Sequence, residues 1–222
     1  MSSNSQGVGS KNQTLLHKLL VVISCLCFTL PAMAQEEKKN TYGGWEFIEV
    51  SYNFKKAPLY ASVYFEHDNY EYKQLDCWYT RTTFGVKILP WLKADVAYDF
   101  LYEPGGVLTH KALFNLTGTL TQGNLKVSLR ERYVHDWLAD EGKQDNVLRS
   151  QLKAQYAIPK SHFSPYLAIE VFTWETWKKN RHYVGCTFDI NKTFQLEAYY
   201  MYYTFKNAPA EHVIGLGLNI SL

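Results

Sequence analysis

The chain has 222 residues, with 23 Lys and Arg against 21 Asp and Glu and a formal charge of +2. So even a balance leaves no electrostatic footprint for a nucleic-acid partner. Aromatic residues are abundant (17 Tyr, 12 Phe, 6 Trp) while the mean hydropathy is only −0.28. These values argue against a helical membrane protein but suit a membrane barrel, in which only every second residue faces lipid.

Residues 1–34 read as a signal peptide. Lys11, His17 and Lys18 form a basic start, residues 19–30 an apolar stretch, and Pro31-Ala32-Met33-Ala34 a small-residue cleavage site before Gln35. The apolar stretch is too short to span a bilayer comfortably. A lipoprotein signal ending at Cys25 is the rival, but only about six residues separate Lys18 from that cysteine. Cleavage between Ala34 and Gln35 leaves residues 35–222 as one domain with 21 basic and 21 acidic side chains. Cys77 and Cys186 remain, and alternation puts the first inward and the second outward, which favours two free thiols.

From Trp45 onward apolar residues recur with period two. The segments 48–54, 59–65, 79–88, 92–100, 112–120, 125–130, 148–156, 166–173, 181–190, 194–202 and 214–220 each read as a strand. No other segment is apolar enough for a transmembrane helix, so a membrane form has to be a closed barrel without open edges. The fold class expected is therefore all-β, a single antiparallel transmembrane β-barrel of 10–12 strands. Such barrels have even strand numbers, so twelve is the favoured count, with the missing strand near residues 35–44. Short turns at 56–58, 89–91, 122–124, 159–161 and 191–192 alternate with longer loops at 67–74, 103–110, 140–145, 175–180 and 207–211. Short turns are periplasmic and long loops external in such barrels. Tyr42, Trp45, Trp78, Trp91, Trp137, Trp174 and Trp177 fall near strand ends, as an interfacial belt requires.

The last six residues, Gly217-Leu218-Asn219-Ile220-Ser221-Leu222, alternate up to an apolar terminus. They look like a final-strand signal for the outer-membrane insertion machinery, although Leu222 replaces the usual terminal Phe. Trp45, Leu129-Arg130-Glu131-Arg132-Tyr133, Leu148-Arg149-Ser150-Gln151-Leu152, Ser164-Pro165-Tyr166-Leu167-Ala168-Ile169-Glu170 and His212-Val213-Ile214-Gly215-Leu216-Gly217 together carry a resemblance. Over about residues 45–222 the chain resembles the family called domain of unknown function 2490, uncharacterised outer-membrane barrels. That resemblance implies the fold, outer-membrane lipid as surroundings and the bacterial outer membrane as location; it transfers no catalytic residue.

Charged side chains on the polar face are the candidate site: Arg81, Asp95, Asp99, Arg130, Arg132, Arg149, Lys153, Glu170, Arg181, Asp189 and Glu197. Two readings stay open. Mixed charges and Tyr hydroxyls can simply fill a narrow lumen with ion pairs. Alternatively they line a small polar pore, with Arg130, Arg132, Arg149, Lys153 and Arg181 contacting a polar or anionic solute. A lipid-modifying hydrolase would need Ser, His and an acid near a rim. His162-Phe163-Ser164 is the only His-x-Ser, in an expected turn before Pro165. No metal-ligand spacing or phosphate loop stands out, so no cofactor is expected.

Overall fold

In the computed structural model, which describes residues 41–138 and 144–222, alternation becomes eleven strands of one closed sheet. They are β1 (Thr41–Asn53), β2 (Leu59–Tyr70), β3 (Gln74–Leu89), β4 (Leu92–Glu103), β5 (Val107–Gln122) and β6 (Leu125–Leu138). There follow β7 (Gln144–Tyr156), β8 (Phe163–Trp174), β9 (Thr176–Asp189), β10 (Phe194–Phe205) and β11 (Glu211–Ser221). Each strand pairs with its chain neighbours in antiparallel fashion, and β1 closes the ring against β11. Twelve residues at 3.3 Å each, tilted about 40°, climb roughly 30 Å, enough for the apolar band of a bilayer.

The count corrects the expectation of twelve. Residues 41–44 belong to β1 itself, whereas residues 35–40, the signal peptide and the Ala34–Gln35 cleavage point lie outside the described residues. An odd number forces the first and last strands to run parallel. They do so over eleven residue pairs, from Thr41↔Glu211 to Ser51↔Ser221. Parallel pairing is slightly weaker per residue, but this seam is reinforced at both ends. Thr41 N donates to the Ala210 carbonyl at 3.1 Å and Leu222 N to the Ser51 carbonyl at 2.9 Å. The chain therefore enters the barrel at one end, called here the N end, and leaves it at the other, the C end.

The expected contrast between short turns and long loops is also corrected. Residues 71–73 and 104–106 and Glu175 alone make three of the N-end connections, because the ladders continue into segments whose polar composition reads as loop. Gly105 and Gly106 turn the second of these with φ of 103° and 90°, backbone that glycine adopts without strain.

Parity decides facing. Ile48, Val63, Phe84, Val96, Phe114, Leu129, Leu152, Val184 and Leu216 are among many large apolar side chains left bare on the outer wall. A continuous apolar surface around the whole ring is untenable in water and fits hydrocarbon; the fold is a transmembrane β-barrel. Rings gather towards both ends of that wall. Tyr98 and His110, Tyr200 and His212, and Trp78 with Tyr102 meet towards the N end, and Phe163 meets Phe188 towards the C end. Trp45 is the exception to the expected belt, for its ring points inward beneath the Arg181 guanidinium.

Inward-facing glycines make room for the aromatic side chains of the lumen. Gly85 sits beside Tyr60, Gly185 beside Tyr166, Gly215 beside Tyr199 and Gly217 beside Phe47, each pair directly opposed across two strands. In all four, a Cβ on the glycine would collide with the neighbouring ring. Glycine is costly within a strand, and here the close approach of a ring accounts for it.

Candidate functional site: the barrel lumen

The inner wall encloses a cavity of about 490 Å³. Asp68, Leu101 and Lys111 lie at its N-end side, Glu49, Lys93 and Asn219 at its C-end side. A second space of about 320 Å³ shares Glu49, Tyr60, Ser62, Lys93 and Asn219 with it and continues to Asn53, Lys87 and Ser221. Together they follow the lumen through much of its length, from the row of Trp45 and Asp68 to that of Asn53 and Tyr60.

Glu170 on β8 is the hub of one wall and is 0% exposed. Arg130 Nη2 donates to its Oε1 at 2.8 Å, Arg149 Nε and Nη2 straddle the carboxylate at 3.0 Å each, and Arg181 Nη1 lies 3.7 Å away. Three guanidinium groups thus share one carboxylate, leaving that cluster with an excess of two positive charges. Aromatic faces hold the guanidinium planes. Arg149 lies over Phe172 at 4.5 Å, and Arg181 lies over Trp45, Phe172 and Tyr203 at 4.7, 4.9 and 4.5 Å. Cation–π attraction is strongest in such desolvated places.

A second network lies on the other side. Arg81 Nε and Nη2 make two 2.7 Å bonds to Asp99, a bidentate pair between neighbouring strands. Asp95 accepts from the Tyr60 hydroxyl at 2.6 Å and from Asn115 Nδ2, and Asn115 Oδ1 accepts from Arg132 Nε at 2.5 Å. Lys153 is 3.5 Å from Glu197 and packs over the Tyr166 ring at 3.6 Å. Of the eleven candidates, ten line the central cavity; Asp189 sits at the C end, where its carboxylate accepts from Gln195 at 2.6 Å.

The charges are separated in space. On β1–β4 the cavity is lined by Glu49, Glu66, Asp68, Asp95 and Asp99 against Arg81 and Lys93, a net −3. On β5–β10 it is lined by Lys111, Arg130, Arg132, Arg149, Lys153 and Arg181 against Glu170 and Glu197, a net +4. A solute in the lumen therefore experiences a field directed across the barrel, strengthened by low-dielectric walls. Apolar clusters narrow the lumen on both flanks: Ala97, Leu113 and Val134 on one, and Met201, Tyr203 and Val213 on the other.

Several residues of this site carry no sequence signal of their own. Asp68 and Lys179 fall in segments that read as loops, yet ladder pairing carries both into strands. Lys179 then lies among the Phe172, Tyr203 and Phe205 rings at 5.0–5.8 Å. Asn115, a polar residue in an alternating segment, becomes the link between Arg132 and Asp95.

The hydrolase alternative finds no support in the geometry. His162 Nδ1 lies 2.7 Å from the Asp189 carbonyl, so its ring is held by backbone at a turn. Ser150 does donate to Glu131 at 2.6 Å on the outer wall. The histidine on that face of β6, His135, is four residues further along, about 13 Å by strand rise, and is held by Asn146 at 2.8 Å. Among the described residues no group of three His, Cys, Asp or Glu is placed to hold a metal. Cys77 and Cys186 are free thiols.

Closed sheet, bare outer wall and charged lumen together define a transmembrane β-barrel. Two solved structures are similar to the chain at low sequence identity, and the second shares its fold. One, named KdgM porin, is 10% identical over 70% of this chain and 81% of its own, with a TM-score of 0.48. The other, a NanC porin structure, is 13% identical over 73% and 81%, with a TM-score of 0.51. No curated protein matches the sequence. The chain belongs to the family described as "Protein of unknown function (DUF2490)", whose model matches residues 42–213.

Proposed function

We propose that this barrel is a narrow channel in the bacterial outer membrane that passes small polar solutes and favours anions over cations. The carrying observation is the charge separation around a lumen that side chains fill only in part. Arg130, Arg132, Arg149, Lys153 and Arg181 stand on one side of that space with only Glu170 and Glu197 as acids among them. Rings of charged side chains set selectivity in pores in this way. The signal peptide expected at residues 1–34 and the alternating C-terminus support export and assembly by the outer-membrane insertion machinery. On this reading β11 ends at the periplasm and the N end of the barrel opens outward. The NanC porin structure, which shares the fold, is consistent with a channel. A plugged, structural barrel is the second reading, favoured by the Glu170 cluster, which ties three arginines inside the lumen.

Planar-bilayer recording of refolded residues 35–222 separates the two. Discrete conductance steps that shrink in chloride when Arg130 and Arg149 are both replaced by alanine are expected. A folded protein that stays silent contradicts the channel.

A further inference from the structure

Two lumen carboxylates make no ion pair within 4 Å among the described residues, although Arg81 and Arg181 share the cavity with them. Glu66 and Asp68 lie two apart on β2, face inward, and are 4% and 7% exposed. Glu66 accepts from the Tyr64 hydroxyl and Asp68 Oδ2 from the Cys77 thiol at 3.3 Å. Asp68 Oδ1 is buried with no hydrogen-bond partner, and no ion pair reaches either acid among the described residues. Around the same cavity the complementary lack appears. Arg132 is 5% exposed and donates through Nε to Asn115, with no carboxylate in salt-bridge range among the described residues. The Nε groups of Arg130 and Arg181 are buried without an acceptor.

We infer that the lumen binds small zwitterions, solutes bearing both an ammonium and a carboxylate, in preference to simple anions of the same size. The inference rests on the lumen being open to solutes, as the channel reading holds. An ammonium has three donors and no acceptor, which suits the unpartnered Asp68 Oδ1 and the neighbouring Glu66 carboxylate beside the Tyr64 and Tyr79 rings. A carboxylate takes the guanidinium fork across the lumen. Eleven strands 4.8 Å apart and tilted about 40° form a ring roughly 22 Å across between backbones, so side chains from facing walls leave a gap of about 10 Å. An ω-amino acid of five or six carbons spans that gap. A simple anion uses only the arginine side and leaves the two neighbouring buried carboxylates without a donor cation. A calcium ion is the poorer occupant, since it needs six to eight oxygens and no metal-competent group of three is present among the described residues.

The test is calorimetric titration of the refolded protein in detergent micelles with 6-aminohexanoate and with its N-acetyl derivative, an anion of the same backbone that lacks the ammonium. The zwitterion is expected to bind about tenfold tighter, the worth of one charge-assisted hydrogen bond. Glu66→Gln with Asp68→Asn, or Asp68→Asn alone if the double variant does not fold, is expected to erase that difference while keeping the N-acetyl compound's affinity. Equal affinities in the wild type, or a preference that survives in the variants, overturn the inference. So does calcium binding that the same substitutions abolish, which gives the pair to a metal. Bilayer recordings on the same preparation keep the two proposals apart. Zwitterion binding without conductance steps sinks the channel alone, whereas steps without zwitterion preference sink this inference alone.

Discussion

Replacing Glu170 with glutamine removes the one acid that three arginines share while barely changing its shape. Glu170 is 0% exposed and takes bonds of 2.8–3.0 Å from Arg130 and Arg149. Removing one member of a buried ion cluster costs about 3–5 kcal/mol, because the remaining charges stay desolvated and here repel one another. The arginines are not fully dry: their side chains are 24%, 16% and 17% exposed towards the lumen. Water there screens part of the repulsion, which points to the lower end, about 3 kcal/mol. Urea unfolding of the refolded barrel in lipid vesicles, followed by tryptophan fluorescence, reads this as a lower midpoint at unchanged slope. Adding Arg149→Gln to the glutamine variant should recover part of the loss. An unfolding free energy unchanged within about 0.5 kcal/mol would refute the reasoning, since it would mean that the cluster is solvated as an open surface would be.

Three further outcomes follow from other parts of the barrel. Glu131 is a carboxylate on the outer wall between Leu129 and Tyr133, bonded among the described residues by Ser150; Glu131→Leu should stabilise the barrel in vesicles by about 1 kcal/mol, less than the penalty for a basic residue at mid-depth, and a destabilised variant would show that Glu131 faces something other than lipid. Gly215→Val should cost about 1–3 kcal/mol by driving the Tyr199 ring off the wall, visible as a lower urea midpoint, and an unchanged midpoint would contradict the close packing at that pair. The parallel seam pairs Val50 with Ile220; in a Cys77→Ser/Cys186→Ser background, cysteines at 50 and 220 should cross-link on oxidation, whereas cysteines at 50 and 214 should not, and the reverse result would show a different closure.

Much of the architecture was legible because one property, facing, depends only on parity along a strand. Arg130 and Arg132 share the inner wall for the same reason that Leu129, Glu131 and Tyr133 share the outer one. Strand number was harder, since counting rests on where each ladder ends. The N-end hairpins carry polar residues such as Asp68, Asn69 and Lys179 that look like loops, yet their backbone bonds continue the sheet. The odd count hides for a related reason: nothing in residues 41–53 announces a parallel neighbour 170 positions away. Trp45 near a strand start resembles a belt residue, and only the register of β1 turns it inward onto Arg181. Ion-pair partners were not legible at all. That Arg130, Arg149 and Arg181 meet at Glu170 depends on the tilt of four successive strands, which aligns residues that no spacing along the chain relates.

The central claim is that a charge-separated lumen conducts small ions and favours anions. The most direct measurement is the reversal potential of the refolded barrel across a tenfold KCl gradient. A potential displaced towards the chloride equilibrium value, and moved towards zero by Arg130→Ala with Arg149→Ala, is the predicted result. A displacement towards the potassium value would contradict the account, because the arginine wall would then not be what permeating ions meet.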